Sequence, residues 1–370
     1  MFWYCVICCL MSFPLCLVCV GRRVDRNANQ IALVIACEIL WFFMAFRSKS
    51  VGVDTKYYCN IFSQFCDIPL AKTFVAPTYA VWDKSWTMDF EPGYRLFNKL
   101  LSFFFNREQV ITIANSAVIL TLLYRLIKRS SPNYLLSIWL YITLGIFQTE
   151  MNVARNAIAI LIVYNALEYA ENKKFWSYCL WCLVGASIHI SVLAFIPVYF
   201  LLHIDTLSVK KCIVMVAIFA LLGVFFSKYS TSFSMILPAR MRKYLGGDGE
   251  KFEKIAVGMV NVGLVCVTYW FMKKSERKKV FEAYHSGIVL ILLNLCSFGI
   301  SLGSGYAARI AALFGPYIIV FLPQMIKLIQ SEDRRNTVIM LITVCTGIQY
   351  LLRLCVNNIG GTMPYCFFWQ

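Results

Sequence analysis

A charged side chain inside a run of apolar residues must be paired or put to use, because hydrocarbon cannot solvate it. The sequence has few of them: Glu38, Arg155, His189, Arg309 and Arg353 lie in or at the edge of apolar stretches, and Arg47 closes another. The guanidiniums of Arg47, Arg155 and Arg309 are planar forks of donors that stay charged when partly desolvated and match phosphate oxygens two at a time. That chemistry suits a lipid-linked diphosphate held at headgroup depth. His189, with an ordinary pKa of about 6.5, can exchange a proton near neutral pH. Asp54 and Glu91 add carboxylates that can deprotonate a hydroxyl or hold a sugar. Around them Tyr57, Tyr58, Trp82, Trp86 and Tyr94 offer ring faces, either for sugars or for an interfacial belt. Each ion also has a plainer reading. Arg47 and Arg353 can snorkel, Arg155 can pair with Glu150, Glu38 can pair inside a bundle, and Arg309 can brace the break at Gly303–Tyr306.

The elements that must position these groups are membrane helices. The chain has 370 residues, is 60% hydrophobic with mean hydropathy +0.67, and carries 15% charged residues, against about 25% in a soluble protein. Apolar runs recur from Met1 to the C-terminus, which predicts a single integral-membrane domain over residues 1–370 and excludes a soluble enzyme. The net charge of +16 would suggest nucleic acid in a soluble chain, but the basic residues fall in short loops between apolar runs, where they report topology and anionic lipid. The 16 cysteines lie mostly inside apolar spans as small hydrophobes, and the sequence proposes no metal and no cofactor.

Phe175 to His203 is too long for one crossing, about 43 Å at 1.5 Å per residue, and basic pairs flank both ends. Two short helices turning at Ser187, His189 and Ser191 resolve the conflict. The fold class is then an all-α polytopic membrane protein of about twelve transmembrane helices with both termini outside. Six basic loops, from Arg22/Arg23/Arg26 to Arg334/Arg335, face the cytoplasm, while the run Arg240, Arg242, Lys243 falls in an outer segment, and Arg47, Arg155, His189 and Arg309 fall near the outer face. Two long segments, about residues 47–109 and 227–254, also lie outside. The first contains an amphipathic stretch, Tyr94 to Phe105, that can lie in the interface. A transporter would use similar charges, but internal repeats are not evident and the charges gather at one face instead of the midplane.

The stretch from Arg47 through Gly52, Asp54, Thr55 and Tyr58 to Phe62 resembles the R…GxDTxxYxxxF segment of the EpsG-like family of Wzy-type polysaccharide polymerases. Glu91-Pro92-Gly93-Tyr94, Asn152-Val-Ala-Arg155-Asn156, His189-Ile-Ser191, Tyr306-Ala-Ala-Arg309 and Pro364-Tyr365 follow in the same order, and Asn156 stands where the family commonly has Gln. The resemblance implies a multi-pass enzyme of the bacterial inner membrane, a metal-independent glycosyltransferase joining undecaprenyl-diphosphate-linked oligosaccharide repeat units at the outer face. It would serve exopolysaccharide, capsule or O-antigen synthesis. Arg47, Arg155 and Arg309 would hold the diphosphate, and His189, Asp54 or Glu91 would be the base. Tyr58, Tyr94 and Tyr365 would contact sugar. The implied partners are the lipid-linked oligosaccharide, the bilayer and a chain-length regulator, with no nucleic acid. A ligase moving the finished glycan to another acceptor would share the arginines.

Overall fold

The structure, a computed structural model, describes residues 2–6, 26–75, 90–204, 209–228, 249–301, 312–356 and 358–370. Among these residues the regular elements are helices, with one isolated antiparallel bridge between Arg47 and Phe367. The chain divides into two compact units, Met1–Ile196 with Thr343–Gln370, and Pro197–Ile342. Most of the apolar run Met1–Val20, Trp82, Trp86, Arg309 and the basic run Arg240–Lys243 lie outside the described residues.

The first unit runs through α1 (Arg26–Ala45), α2 (Thr55–Asp67), α3 (Pro92–Ser102), α4 (Gln109–Ser130), α5 (Tyr134–Thr143), α6 (Ile146–Asn152), α7 (Ala154–Glu171) and α8 (Phe175–Ile188). Segments Asn27–Ala45 and Gln109–Ser130 are long and apolar enough to cross a membrane. They pack side by side, and the start of α4 closes the end of α1: Gln109 Nε2 donates to the Ala45 carbonyl at 2.7 Å and Thr112 Oγ1 donates to the same oxygen at 3.0 Å. A helix end needs such partners because its last carbonyls have none within the helix. At the other end of α4, Arg129 donates to the Asn165 carbonyl at 2.6 Å and pairs with Glu168 at 2.9 Å, fastening α4 to α7.

Helix α3 reverses the usual arrangement of a surface helix. Its buried side carries Tyr94, Arg95, Asn98 and Lys99, while Leu96, Leu100 and, just beyond it, Phe103, Phe104 and Phe105 are exposed. The buried cations are hydrogen-bonded to carbonyl oxygens: Arg95 Nε donates to Phe90 O at 2.7 Å, and Lys99 Nζ to Phe65 O, near the end of α2, at 2.9 Å. An outward apolar face on such a short helix is favourable against lipid and unfavourable against water.

Several expectations change. The apolar run Tyr134–Phe147 breaks between α5 and α6, where Gly145 adopts φ +76°. Arg353, expected to snorkel, instead donates through Nη1 to the Leu144 carbonyl freed by that break, at 3.1 Å. Glu38, expected to pair inside the bundle, lies on the exposed side of α1, because Leu33, Ala36, Cys37 and Leu40 take the buried side. Within Phe175–His203, α8 ends at Ile188, His189 is extended (φ −152°, ψ 118°), and a 3-10 turn follows over Ile190–Phe195, so a helix break falls where length and charge require one.

The second unit contains α9 (Val198–Leu201), α10 (Val209–Lys228), α11 (Gly249–Phe271), α12 (Lys274–Ala283), α13 (His285–Ser301), α14 (Ile318–Lys327) and the start of α15 (Glu332–Val356), which carries a third apolar stretch of crossing length, Glu332–Leu354. Helix α12 bends 89° from the apolar part of α13. Glu276 on α12 accepts from the backbone N–H groups of Lys273 at 2.7 Å and Gln330 at 3.0 Å and from Arg334 at 3.4 Å. Burial alone would push this carboxyl up, but those donors and the Arg334 guanidinium outweigh it and hold the group below the usual carboxylate range.

Candidate functional site

Residues 47–55 form a turn that is clamped from three directions. Gly52 has φ +92°, a conformation that favours glycine, and a Cβ there would come 2.8 Å from Thr55 Oγ1. Gly52 N–H donates to Gly361 O at 2.9 Å and Val53 N–H to Gly360 O at 3.2 Å, so the C-terminal segment lies along the turn. Asn152, at the end of α6, accepts the Asp54 N–H at 2.8 Å. Arg47, 1% exposed, fills the interior: Nη2 donates to Met151 O at 2.8 Å, Nη1 donates to Met44 O, and Thr55 Oγ1 lies 3.4 Å from both Nε and Nη2. These bonds tie the end of α1, the start of α2 and the α6–α7 junction together.

Arg155 projects from the first turn of α7, just past that junction. Its Nη1 donates to Glu91 Oε2 at 2.6 Å, with the side chains 11% and 18% exposed. The guanidinium carbon lies 4.2 Å from the centre of the Phe90 ring, 5.7 Å from that of Tyr94 and 5.9 Å from that of Tyr58. Three rings thus take the place of hydration around one cation, an arrangement that stabilises positive charge without neutralising it. Arg155 Nε is buried and has no hydrogen-bond partner among the described residues. Burial is also the main cause raising the Tyr58 phenol above its ordinary value, which the nearby guanidinium only partly offsets. Tyr94 is held by Asn115, whose Nδ2 donates to its hydroxyl at 2.8 Å.

Glu91 reaches Arg155 because Pro92 starts α3 directly after it and Gly93 lets α3 touch α8. A Cβ on Gly93 would sit 2.2 Å from Ser187 Oγ and 2.8 Å from Ser187 O. That contact brings the second carboxylate oxygen, Oε1, within 3.1 Å of the Ile190 N–H, which donates to it. The neighbouring His189 is anchored through Nδ1, 2.7 Å from Ser191 Oγ, and the same hydroxyl donates to Asn156 Oδ1 at 2.9 Å. Adjacent residues of α7 therefore serve different partners, Arg155 the carboxylate and Asn156 the histidine turn.

Of the residues marked out by sequence, Arg155, Glu91, Tyr58 and Tyr94 make one cluster, and His189 adjoins it through Ile190 and Ser191. Asp54 belongs to the clamp, where its backbone N–H donates to Asn152. Tyr365 lies in a different aromatic group, donating to Phe43 O at 2.6 Å and packed edge-on against Tyr4. The alternative pairing of Arg155 with Glu150 does not form: Val153 breaks the helical path between them (φ −102°, ψ 51°), and Glu150 accepts from Tyr141 at 2.6 Å. Sequence reasoning missed Phe90, whose only signal is its place before Glu91, and the Ile190 N–H, which leaves no signal at all. The described residues hold no group of His, Cys, Asp and Glu able to ligate a metal.

No curated protein and no solved structure matches the chain. Comparison with protein families, by contrast, matches residues 30–367 to the EpsG family, a range that includes the clamp and the cluster. The chain belongs to the EpsG family.

Proposed function

We propose that this membrane protein of polysaccharide biosynthesis polymerises undecaprenyl-diphosphate-linked oligosaccharide repeat units at the outer face of the bacterial inner membrane. The observation that carries the reading is convergence: Arg155, Glu91, Ile190 and Asn156 with Ser191 meet although 64, 99 and 35 residues separate the bonded partners. A caged guanidinium beside a histidine turn supplies what this glycosyl transfer needs. The acceptor hydroxyl forms a bond to the anomeric carbon of the donor chain as the bond from that carbon to the diphosphate oxygen breaks. Undecaprenyl diphosphate leaves with the electron pair, and its growing charge is met by Arg155. The hydroxyl proton passes to the imidazole of His189, whose ring Ser191 holds at Nδ1. Asp54 and Glu91 orient the acceptor sugar. In this reading Arg47 braces the clamp that sets the position of Arg155.

About twelve crossings with the basic loops inside complete the proposal, and they place the cluster outside. The test is polymerisation by purified protein in vesicles, with lipid-linked repeat units as substrate and chain length read on gels. Arg155→Lys keeps the charge but loses the fork and the ring stacking, so it should cost about 1.5 to 3 kcal/mol, or one to two decades in rate. His189→Gln should remove the acid limb of the pH profile. Wild-type polymer from Arg155→Lys, with that limb intact in His189→Gln, would overturn the assignment.

A further inference from the structure

The Glu91 carboxylate is bound as a ligand would be. One oxygen takes the Arg155 Nη1–H at 2.6 Å and the other takes the Ile190 N–H at 3.1 Å, so a guanidinium and a backbone amide converge on two oxygens of a single anionic group. Two oxygens of one phosphoryl group present the same pair of acceptors. The site around them is built: the cation is almost completely enclosed, Phe90, Tyr58 and Tyr94 surround it, and its buried Nε–H has no acceptor among the described residues. The Glu91 ion pair thus leaves a buried donor on the same guanidinium unused.

From this geometry we infer that Arg155 and the Ile190 N–H form a phosphoryl subsite that Glu91 fills when substrate is absent, and that a diphosphate enters by exchanging with the Glu91 carboxylate. The inference rests on the proposed diphosphate role of Arg155 and adds the backbone donor and the internal occupant. Exchange keeps the guanidinium paired at every stage, which matters because an unpaired charge at this depth is costly. It also moves a carboxylate off the leaving-group site only when the diphosphate has arrived, freeing Glu91 to meet the acceptor. The Gly93 contact with Ser187 fixes the start of α3, so the Glu91 side chain can swing while its backbone stays in place.

The test uses the full chain purified in detergent and farnesyl diphosphate as the probe, with farnesol and inorganic diphosphate as separate arms. Affinity is measured for wild type, Glu91→Gln and Arg155→Lys. In addition, carboxyl labelling of wild-type Glu91 by a water-soluble carbodiimide is followed by mass spectrometry with and without probe. Removing the internal competitor should tighten farnesyl diphosphate binding by about fivefold or more in Glu91→Gln, and Arg155→Lys should weaken it. The probe should increase labelling of Glu91, the opposite of the protection a ligand gives to a residue that it covers. Unchanged or weaker binding by Glu91→Gln, or labelling that falls or stays level in wild type, would overturn the exchange while leaving the diphosphate role of Arg155 standing. The wild-type labelling decides the matter even where the variant fails to fold. Absence of farnesyl diphosphate binding in both wild type and Glu91→Gln would overturn the exchange and the proposed diphosphate role together. Binding of inorganic diphosphate as tight as that of the farnesyl probe would uphold the exchange and remove the lipid from the recognition.

Discussion

Replacing Gly93 by Ala tests whether the contact between α3 and α8 sets the cluster. The new Cβ would meet Ser187 Oγ at 2.2 Å, Ser187 Cβ at 2.8 Å and Ser187 O at 2.8 Å. The hydroxyl can rotate away at the expense of its bond to Val184 O, but a backbone oxygen inside α8 cannot. Reaching ordinary contact at 3.4 Å therefore requires a shift of about 0.6 Å at the start of α3. Glu91 lies two residues upstream, so its bonds to Arg155 and Ile190 stretch with that shift. Overpacking of this kind costs about 1 to 3 kcal/mol, against a gain of about 0.4 to 1 kcal/mol from reducing the freedom of the unfolded chain. The net sign is destabilising. Since a misplacement near 1 Å can cost about a hundredfold in rate, the polymerisation rate should fall by roughly tenfold. Thermal unfolding in detergent and the vesicle assay read the two effects. Adding Ser187→Gly removes the side-chain contacts and leaves the carbonyl, so the double variant should recover part of the loss. A Gly93→Ala protein with wild-type melting and wild-type activity would refute the argument that this close approach positions Glu91.

Gly52→Ala should lower thermal stability by about 1 to 3 kcal/mol, because the residue combines φ +92° with a Cβ position 2.8 Å from Thr55 Oγ1; an unchanged melting temperature would count against a strained turn. Glu276→Gln should be less stable than wild type at neutral pH. The folded-state carboxyl is held below its ordinary range, so its contribution is present above the unfolded value of about 4.3 and is lost as pH falls through the folded value. Melting curves of the two proteins should therefore converge in acid, and a constant difference would refute the titration. In a Cys-depleted background an impermeant thiol reagent applied to whole cells should label Cys placed at the exposed Ser63 and miss Cys placed at the exposed Ser275; labelling at Ser275 would reverse the proposed topology.

The cost of burying charge made Arg155 legible in the sequence, but not its partner. Glu150 is five residues away and Glu91 is sixty-four, and local spacing favours the nearer until Val153 departs from helical geometry and separates α6 from α7. The break at His189 was legible because length and flanking charge both demanded it, whereas the break at Gly145 was not, since apolar residues continue through it and only the backbone angle departs. The pattern around Tyr365 was visible, yet the hydroxyl's acceptor is the Phe43 carbonyl, 322 residues away. Motif spacing cannot encode a backbone acceptor. The same limit hid the Ile190 N–H, which every residue except proline would supply.

The reversed polarity of α3 connects the cluster to the kind of substrate proposed. Glu91, Tyr94 and the buried Arg95 and Lys99 belong to one side of the segment that begins this helix, while Leu96 and Leu100 are on the other and Phe103 to Phe105 follow. A helix of this length that buries cations against carbonyls and turns leucine and phenylalanine outward is stable when its outer side meets acyl chains. In the proposed membrane setting, α3 would stand between lipid and the caged guanidinium. A water-soluble sugar nucleotide would gain nothing from such a barrier. A donor whose diphosphate joins a sugar to a long polyprenyl chain would, because its tail can stay among the lipids along the apolar side while its charged group passes the end of α3 to Arg155. The polarity of α3 thus supports a lipid-linked donor independently of the arginine itself, and it explains why the carboxylate paired with Arg155 is carried at the N-terminal end of that helix.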